Sequence, residues 1–117
     1  MNAYEELASF ILPREIFDSF EVIGTTSEVV DGEKIMHIRL DERNMAPDSS
    51  VPLSPNGFYA ESRITDFPIR DHKVILHVRR RRWKDAEGNS YSNDWQLVAE
   101  GTRISNEFAA FLKGLYR

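Results

Sequence analysis

The chain has 117 residues, 41% of them hydrophobic and 11% aromatic, a net charge of −4, and no cysteine. This length suits one domain around a single modest core, and the aromatic content excludes whole-chain disorder. The missing thiols exclude a disulfide scaffold, a thiolate zinc site, an iron–sulfur cluster and a cysteine nucleophile.

In chain order, the first expected element is a helix capped by Asn2, with Glu5 in the capping-box position and Tyr4, Leu7, Ala8 and Ile11 at helical spacing. Met1 to Leu12 carries Glu5 and Glu6 and no basic residue. That is not the positive start of a signal peptide. The apolar runs fall far short of the roughly 20 residues of a membrane span, so the expectation is a soluble, cytoplasmic protein. Pro13 ends the first helix and can open a second, to which Ile16, Phe17 and Phe20 give an apolar side.

A hairpin follows. Phe20 to Val30 is rich in β-branched residues, Asp31-Gly32 supplies the turn, and residues 34–40 return with Met36, Ile38 and Leu40 on one face and His37 and Arg39 on the other. Residues 41–60 hold Pro47, Pro52, Pro55 and Asn56-Gly57 and read as a long exposed loop. A short strand is expected over 61–67 and a continuous strand over 73–83. Gly88-Asn89 marks a turn, after which Trp95 to Ala99 should pair back, leaving Trp83 and Trp95 as core partners across a second hairpin. The chain closes on a helix capped by Ser105, with Phe108, Phe111, Leu112, Leu115 and Tyr116 on one stripe. The order predicts an α+β fold in one domain spanning 1–117: a mainly antiparallel sheet of two hairpins with N- and C-terminal helices.

Charge is distributed unevenly along this plan. Residues 63–84 carry eight basic residues against Asp66 and Asp71, a net +6, and the other 95 residues carry −10. The run Arg79-Arg80-Arg81-Arg82-Trp83-Lys84 is the sharpest feature. Alternation sends Arg80 and Arg82 to one face of the strand and Arg79 and Arg81 to the other. Adjacent guanidiniums repel and desolvate reluctantly, so water, carboxylates or phosphates must reach them. Their forks suit phosphate, which makes a nucleic-acid backbone a natural partner. The candidate contacts are Arg70, Lys73, Arg79, Arg80, Arg81, Arg82 and Lys84, with Trp83 as a stacking surface. The competing use is structural, in pairing with internal carboxylates or in guarding a strand edge.

Nothing in the sequence specifies catalysis, a cofactor or a metal. His37 and His77 can sit on neighbouring strands, but no spacing of His37, His72 and His77 matches a ligand pattern. Asp66, Asp71, Asp85 and Asp94 flank the basic strand and read as turn and strand-end residues. No nucleophile elbow or phosphate-binding glycine loop is present.

Taken together, Ile64-Thr65-Asp66-Phe67-Pro68-Ile69-Arg70, the run Arg79 to Trp83, and the stretch Asp94 to Ile104 resemble the N-terminal region of a group of bacterial insertion-sequence transposases. In related elements an Asp-Phe-Pro or Asp-Leu-Pro segment, then a basic strand ending in Arg-Arg, precedes the catalytic domain. The opening helices and Ala109-Ala110-Phe111-Leu112 are similar too. The resemblance implies a non-catalytic module that recognises the element's DNA ends or assists assembly. The chemistry would belong to a downstream RNase H-like domain with a metal-binding acidic triad, lying outside these 117 residues. The cysteine-rich zinc segment of some related elements cannot carry over. Expected partners are element-end DNA, the catalytic domain or a second-frame product, and a second copy in a homodimer, with no membrane. A protein-interaction or dimerisation module without DNA binding is the alternative. Whether the chain is a first reading frame or a fragment stays open.

Overall fold

The computed structural model describes residues 6, 8–10, 12–65, 73–95 and 106–116. The helix expected over Asn2–Ile11 falls largely outside these residues, as do the Ser105 cap and residues 96–99, while Ala8 and Leu12 are buried. Pro13 stands at the N-cap of α1 (Arg14–Ser19), whose last residue hands directly to β1 (Phe20–Val30). Asp31 and Gly32 adopt φ of 51° and 80°. Both turn positions are thus left-handed, which Asp-Gly tolerates and most other pairs do not. The chain then returns antiparallel as β2 (Glu33–Glu42).

Five further strands follow: β3 (Ser54–Phe58), β4 (Ser62–Ile64), β5 (Lys73–Arg79), β6 (Arg81–Lys84) and β7 (Ser90–Tyr91). Helix α2 (Asn106–Leu115) closes the fold. The strands form two sheets, of order β1-β2-β5-β4 and β3-β6-β7. The fold is α+β and mainly antiparallel, with one parallel pair, β2 with β5. The single strand expected over 73–83 is divided at Arg80: its first part is central to the larger sheet and its second part central to the smaller one.

The larger sheet has two unlike faces. Ile38, Leu40, Val74, Leu76 and Val78 pack with Ile64 against Phe108, Phe111, Leu112 and Leu115 of α2. The Phe20 ring sits at the centre, 5.3 Å edge-on from Phe111 and 5.7 Å from Trp95. The expected α2 stripe is therefore core, with Tyr116 half-buried beside it. The opposite face carries His37, Arg39 and Asp41 of β2 alongside His77 and Arg79 of β5.

Three expectations need correction. The 41–60 stretch contains strand β3, whose Pro55 and Gly57 (φ 74°) accompany a register irregularity between Pro55 and Phe58. A proline is tolerated there because β3 is an edge strand. Trp95 lies outside any strand; β6 pairs instead with Ser90–Tyr91. Trp83 and Trp95 are not partners: Trp95 belongs to the core around Phe20, whereas Trp83 is buried in the smaller sheet opposite Pro55 and Tyr91. Among the described residues no helix is long and apolar enough to cross a membrane.

Candidate nucleic-acid interface

The arginine run forms the junction between the two sheets, and consecutive residues of β3 and its exit sort it by face. Phe58 and Tyr59 are adjacent in sequence and meet alternate arginines. The Arg79 and Arg81 guanidiniums lie over the Phe58 ring at 4.1 and 4.7 Å. Arg80 and Arg82 lie over Tyr59 at 5.1 and 5.4 Å, and Arg80 also over Tyr116 at 4.9 Å. The Tyr59 N–H donates to the Arg80 carbonyl at 2.8 Å and fixes this register.

The two faces differ in what neutralises them. Arg79 donates from Nε and Nη2 to both oxygens of Asp41, at 2.7 and 2.6 Å. That bidentate contact holds the Arg79 guanidinium in its charged form more firmly than usual, its hydrogen bonds outweighing partial burial. Arg81 donates from Nε to the Glu42 carbonyl at 2.8 Å, and its backbone N–H donates to Glu42 Oε1 at 3.1 Å. Glu42 itself is fully buried and also accepts from Asn93 Nδ2 at 2.9 Å. Burial pushes the Glu42 carboxyl up; the Asn93 and Arg81 hydrogen bonds and the charge of Arg80 oppose that rise without cancelling it. Arg79 and Arg81 are thus absorbed by internal acceptors.

Arg80 and Arg82 take part in no ion pair among the described residues. Both are half-buried, resting on tyrosine rings that screen part of each cation and orient it at a modest gain, about 0.5–1 kcal/mol per contact at exposed sites. Lys84, next on the same side of the strand, is exposed beside an open cleft of about 390 Å³ lined by Pro52, Leu53 and Asp85. These three side chains form a strip of positive charge without a salt bridge among the described residues, Glu42 lying within longer electrostatic reach of Arg80.

The remaining candidates fare unequally. Trp83 is 5% exposed and is no stacking surface, because it fills the interior of the smaller sheet. Lys73 is exposed but opens β5, about 20 Å of extended strand away from Arg79. Arg70, Asp66, Asp71 and His72 lie outside the described residues. Asp85 is a turn residue, as expected: its Oδ1 accepts from the Glu87 and Asn89 backbone N–H groups, both at 2.9 Å. The Asn89 side-chain hydrogen bond leads the contacts that lower its carboxyl below the ordinary value.

Sequence reasoning missed Phe58, Tyr59, Asp41 and Glu42. All four lay in the 41–60 stretch read as loop, whereas β2 extends through Asp41 and Glu42 and β3 reaches Phe58. The strand adjacency of His37 and His77 was legible: β2 and β5 are neighbours and the two rings lie 5.0 Å apart. Among the described residues no group of three or more His, Asp or Glu side chains has metal-holding geometry. Compared with protein-family models, with curated proteins and with solved structures, the chain matches none of them.

Proposed function

We propose that the chain is a non-catalytic module of a bacterial insertion-sequence transposase that grips the DNA backbone through Arg80, Arg82 and Lys84. The observation that carries this reading is the asymmetry of the arginine run: Arg79 is ion-paired with Asp41 and Arg81 donates to the Glu42 main-chain carbonyl, whereas Arg80 and Arg82 rest on tyrosine rings and form no salt bridge among the described residues. Phosphate is the complement of such a strip. The family resemblance of the flanking segments supplies the setting, in the bacterial cytoplasm, and names the downstream catalytic domain as the further partner.

Binding of labelled duplex measured by anisotropy across a salt series tests the proposal. Three phosphate contacts give a slope of log affinity against log salt of about −2.7. The double substitution R80Q/R82Q should flatten it by about two units, equally for element-end and scrambled duplex, since phosphate contacts carry no base information. R79Q/R81Q should leave the slope in place and lower the melting temperature. A wild type that binds no duplex at low salt, or a slope that R80Q/R82Q does not change, refutes the proposal.

A second reading, a protein-interaction module, draws on the distal half of the β1–β2 hairpin. Residues 25–34 are exposed, and Val29 and Val30 are 71% and 43% accessible on the edge strand of the sheet. A V29K/V30K variant that shifts a concentration-dependent oligomer to monomer by light scattering would favour it.

A further inference from the structure

A row of polar contacts crosses the sheet face that α2 leaves uncovered. Glu28 of β1 meets His37 Nε2 at 2.8 Å, His37 Nδ1 meets His77 Nε2 at 2.8 Å, and His77 Nδ1 meets Glu61 Oε2 at 2.9 Å. The row spans β1, β2, β5 and the residue before β4, with the His37 and His77 side chains only 14% and 7% exposed. Counting protons decides what it is. Three contacts need three hydrogens, an ionised carboxylate supplies none, and two neutral imidazoles supply two. If each histidine donates outward to its glutamate, the facing nitrogens are two lone pairs at hydrogen-bond distance, which repel unless a cation lies between them.

We propose that His37 and His77 bind one extra proton between them, forming a shared-proton bridge flanked by Glu28 and Glu61 that fastens the four-stranded sheet and makes its stability depend on pH. The spacing selects a proton over a metal ion. Imidazole–zinc bonds of about 2.0–2.1 Å at tetrahedral angles hold two ring nitrogens more than about 3.2 Å apart, whereas 2.8 Å is an N–H···N length. One imidazolium between two carboxylates leaves a net −1, which a neighbouring arginine offsets. Arg39 of β2 also reaches Glu61, at 3.4 Å. Asp41 and Arg79 further along β2 and β5 neutralise each other. Arg63 of β4, in register with His77, is exposed. A surface cleft of about 180 Å³ bordered by Ile23, Arg39, Glu61 and His77 gives the bridge access to solvent for proton exchange.

The sign of the pH effect follows from the same count. Where unfolded histidines are neutral, the folded pair holds one proton more than the unfolded chain, so stability falls as pH rises. Where unfolded histidines are both charged, they carry four ring hydrogens and the bridge admits three, so stability falls as pH drops. The contribution therefore peaks in between, with each limb approaching a tenfold change in the folding constant per pH unit. On the alkaline side one of the two glutamate contacts must open.

Urea unfolding of wild type, H37Q, H77Q and H37Q/H77Q between about pH 5 and about 8, the range in which free imidazoles titrate, tests this. The wild type should show the peak and all three variants should lack it, the double variant behaving as the singles do. Should the variants fail to fold, ring-nitrogen NMR of the wild type decides. The bridge predicts that His37 Nε2 and His77 Nδ1 are both protonated while the inner pair shares one hydrogen. Identical pH profiles in wild type and double variant, or spectra of two independently titrating rings, overturn the proposal. So does one equivalent of zinc raising the wild-type midpoint at neutral pH and not that of the double variant, because the gap would then hold a metal.

Discussion

Glu42 shows how one side chain can tie two layers together. Fully buried at the end of β2, it receives the Arg81 backbone N–H from the smaller sheet and Asn93 Nδ2 from the segment leading to Trp95, while Asn93 also donates to the Met45 carbonyl at 2.9 Å. Burial is the leading influence on its carboxyl and raises it above the ordinary 4.5. A group whose folded value is raised keeps its proton at a pH where the unfolded chain has lost it. Its contribution is complete below that ordinary value and is lost as pH rises through the folded one. The urea midpoint of wild type should therefore fall relative to that of E42Q as pH rises from about 4 to about 6. The Gln amide, like the protonated carboxyl, offers one carbonyl oxygen to the two donors, so E42Q should lie close to wild type at the acid end. A constant difference across that range would show that Glu42 titrates alike folded and unfolded. None of this was legible in Leu40-Asp41-Glu42, because acidic residues closing a strand ordinarily face water. Only the return of the chain forty residues later buries them. The alternation of Arg79 to Arg82 was legible, since a strand's period of two is a local property, but which face finds internal acceptors depends on Asp41 and Glu42 and was not.

At the scale of elements, the hairpin and α2 were readable because their signals are short-range: Asp-Gly with left-handed backbone at both positions, and apolar residues at helical spacing. The parallel β2–β5 pair and the transfer of the β5 strand into a second sheet are long-range events without a local mark. β3 was hidden by Pro55 and Gly57, which read as breakers although an edge position accommodates both. The contact of α2 with β4 adds a constraint no pattern shows. Gly114 lies in α2 where a Cβ would stand 2.8 Å from Ile64 Cγ2 and 2.9 Å from Cγ1. Glycine to alanine in a helix interior ordinarily gains about 1 kcal/mol. Here the overlap should reverse that gain, and G114A should destabilise by about 1–3 kcal/mol as an overpacked core does. In an I64A background the same change should become neutral or stabilising, because the alanine methyl enters the space Ile64 vacates. Equal effects of G114A in the two backgrounds would show that α2 shifts freely over β4.

The whole molecule poses the question of whether its two sheets form one folding unit. Three connections argue that they do. The chain passes from β5 to β6 through Arg80 without a loop, Glu42 of the larger sheet accepts from Arg81 of the smaller, and Phe58 of the smaller sheet lies beneath Arg79 as Arg79 pairs with Asp41 of the larger. The chain's two tryptophans divide between the layers: Trp95 contacts Phe20 in the helix-covered core, and Trp83 is buried in the smaller sheet away from that cluster. They are therefore independent reporters. Phe111, fully buried with its edge toward Phe20, belongs only to the first layer. F111A should destabilise by about 3–5 kcal/mol, the usual range for emptying a buried phenylalanine site. If the layers are coupled, the loss must reach the distant tryptophan. W95F, which reports through Trp83, and W83F, which reports through Trp95, should each unfold in a single transition, and F111A should lower both midpoints together. A Trp83 signal that keeps its midpoint in F111A/W95F while Trp95 loses its own in F111A/W83F would divide the chain into two units. The arginine junction would then be a flexible connection, and the strip of Arg80, Arg82 and Lys84 could not be held in one orientation toward the DNA proposed as its partner.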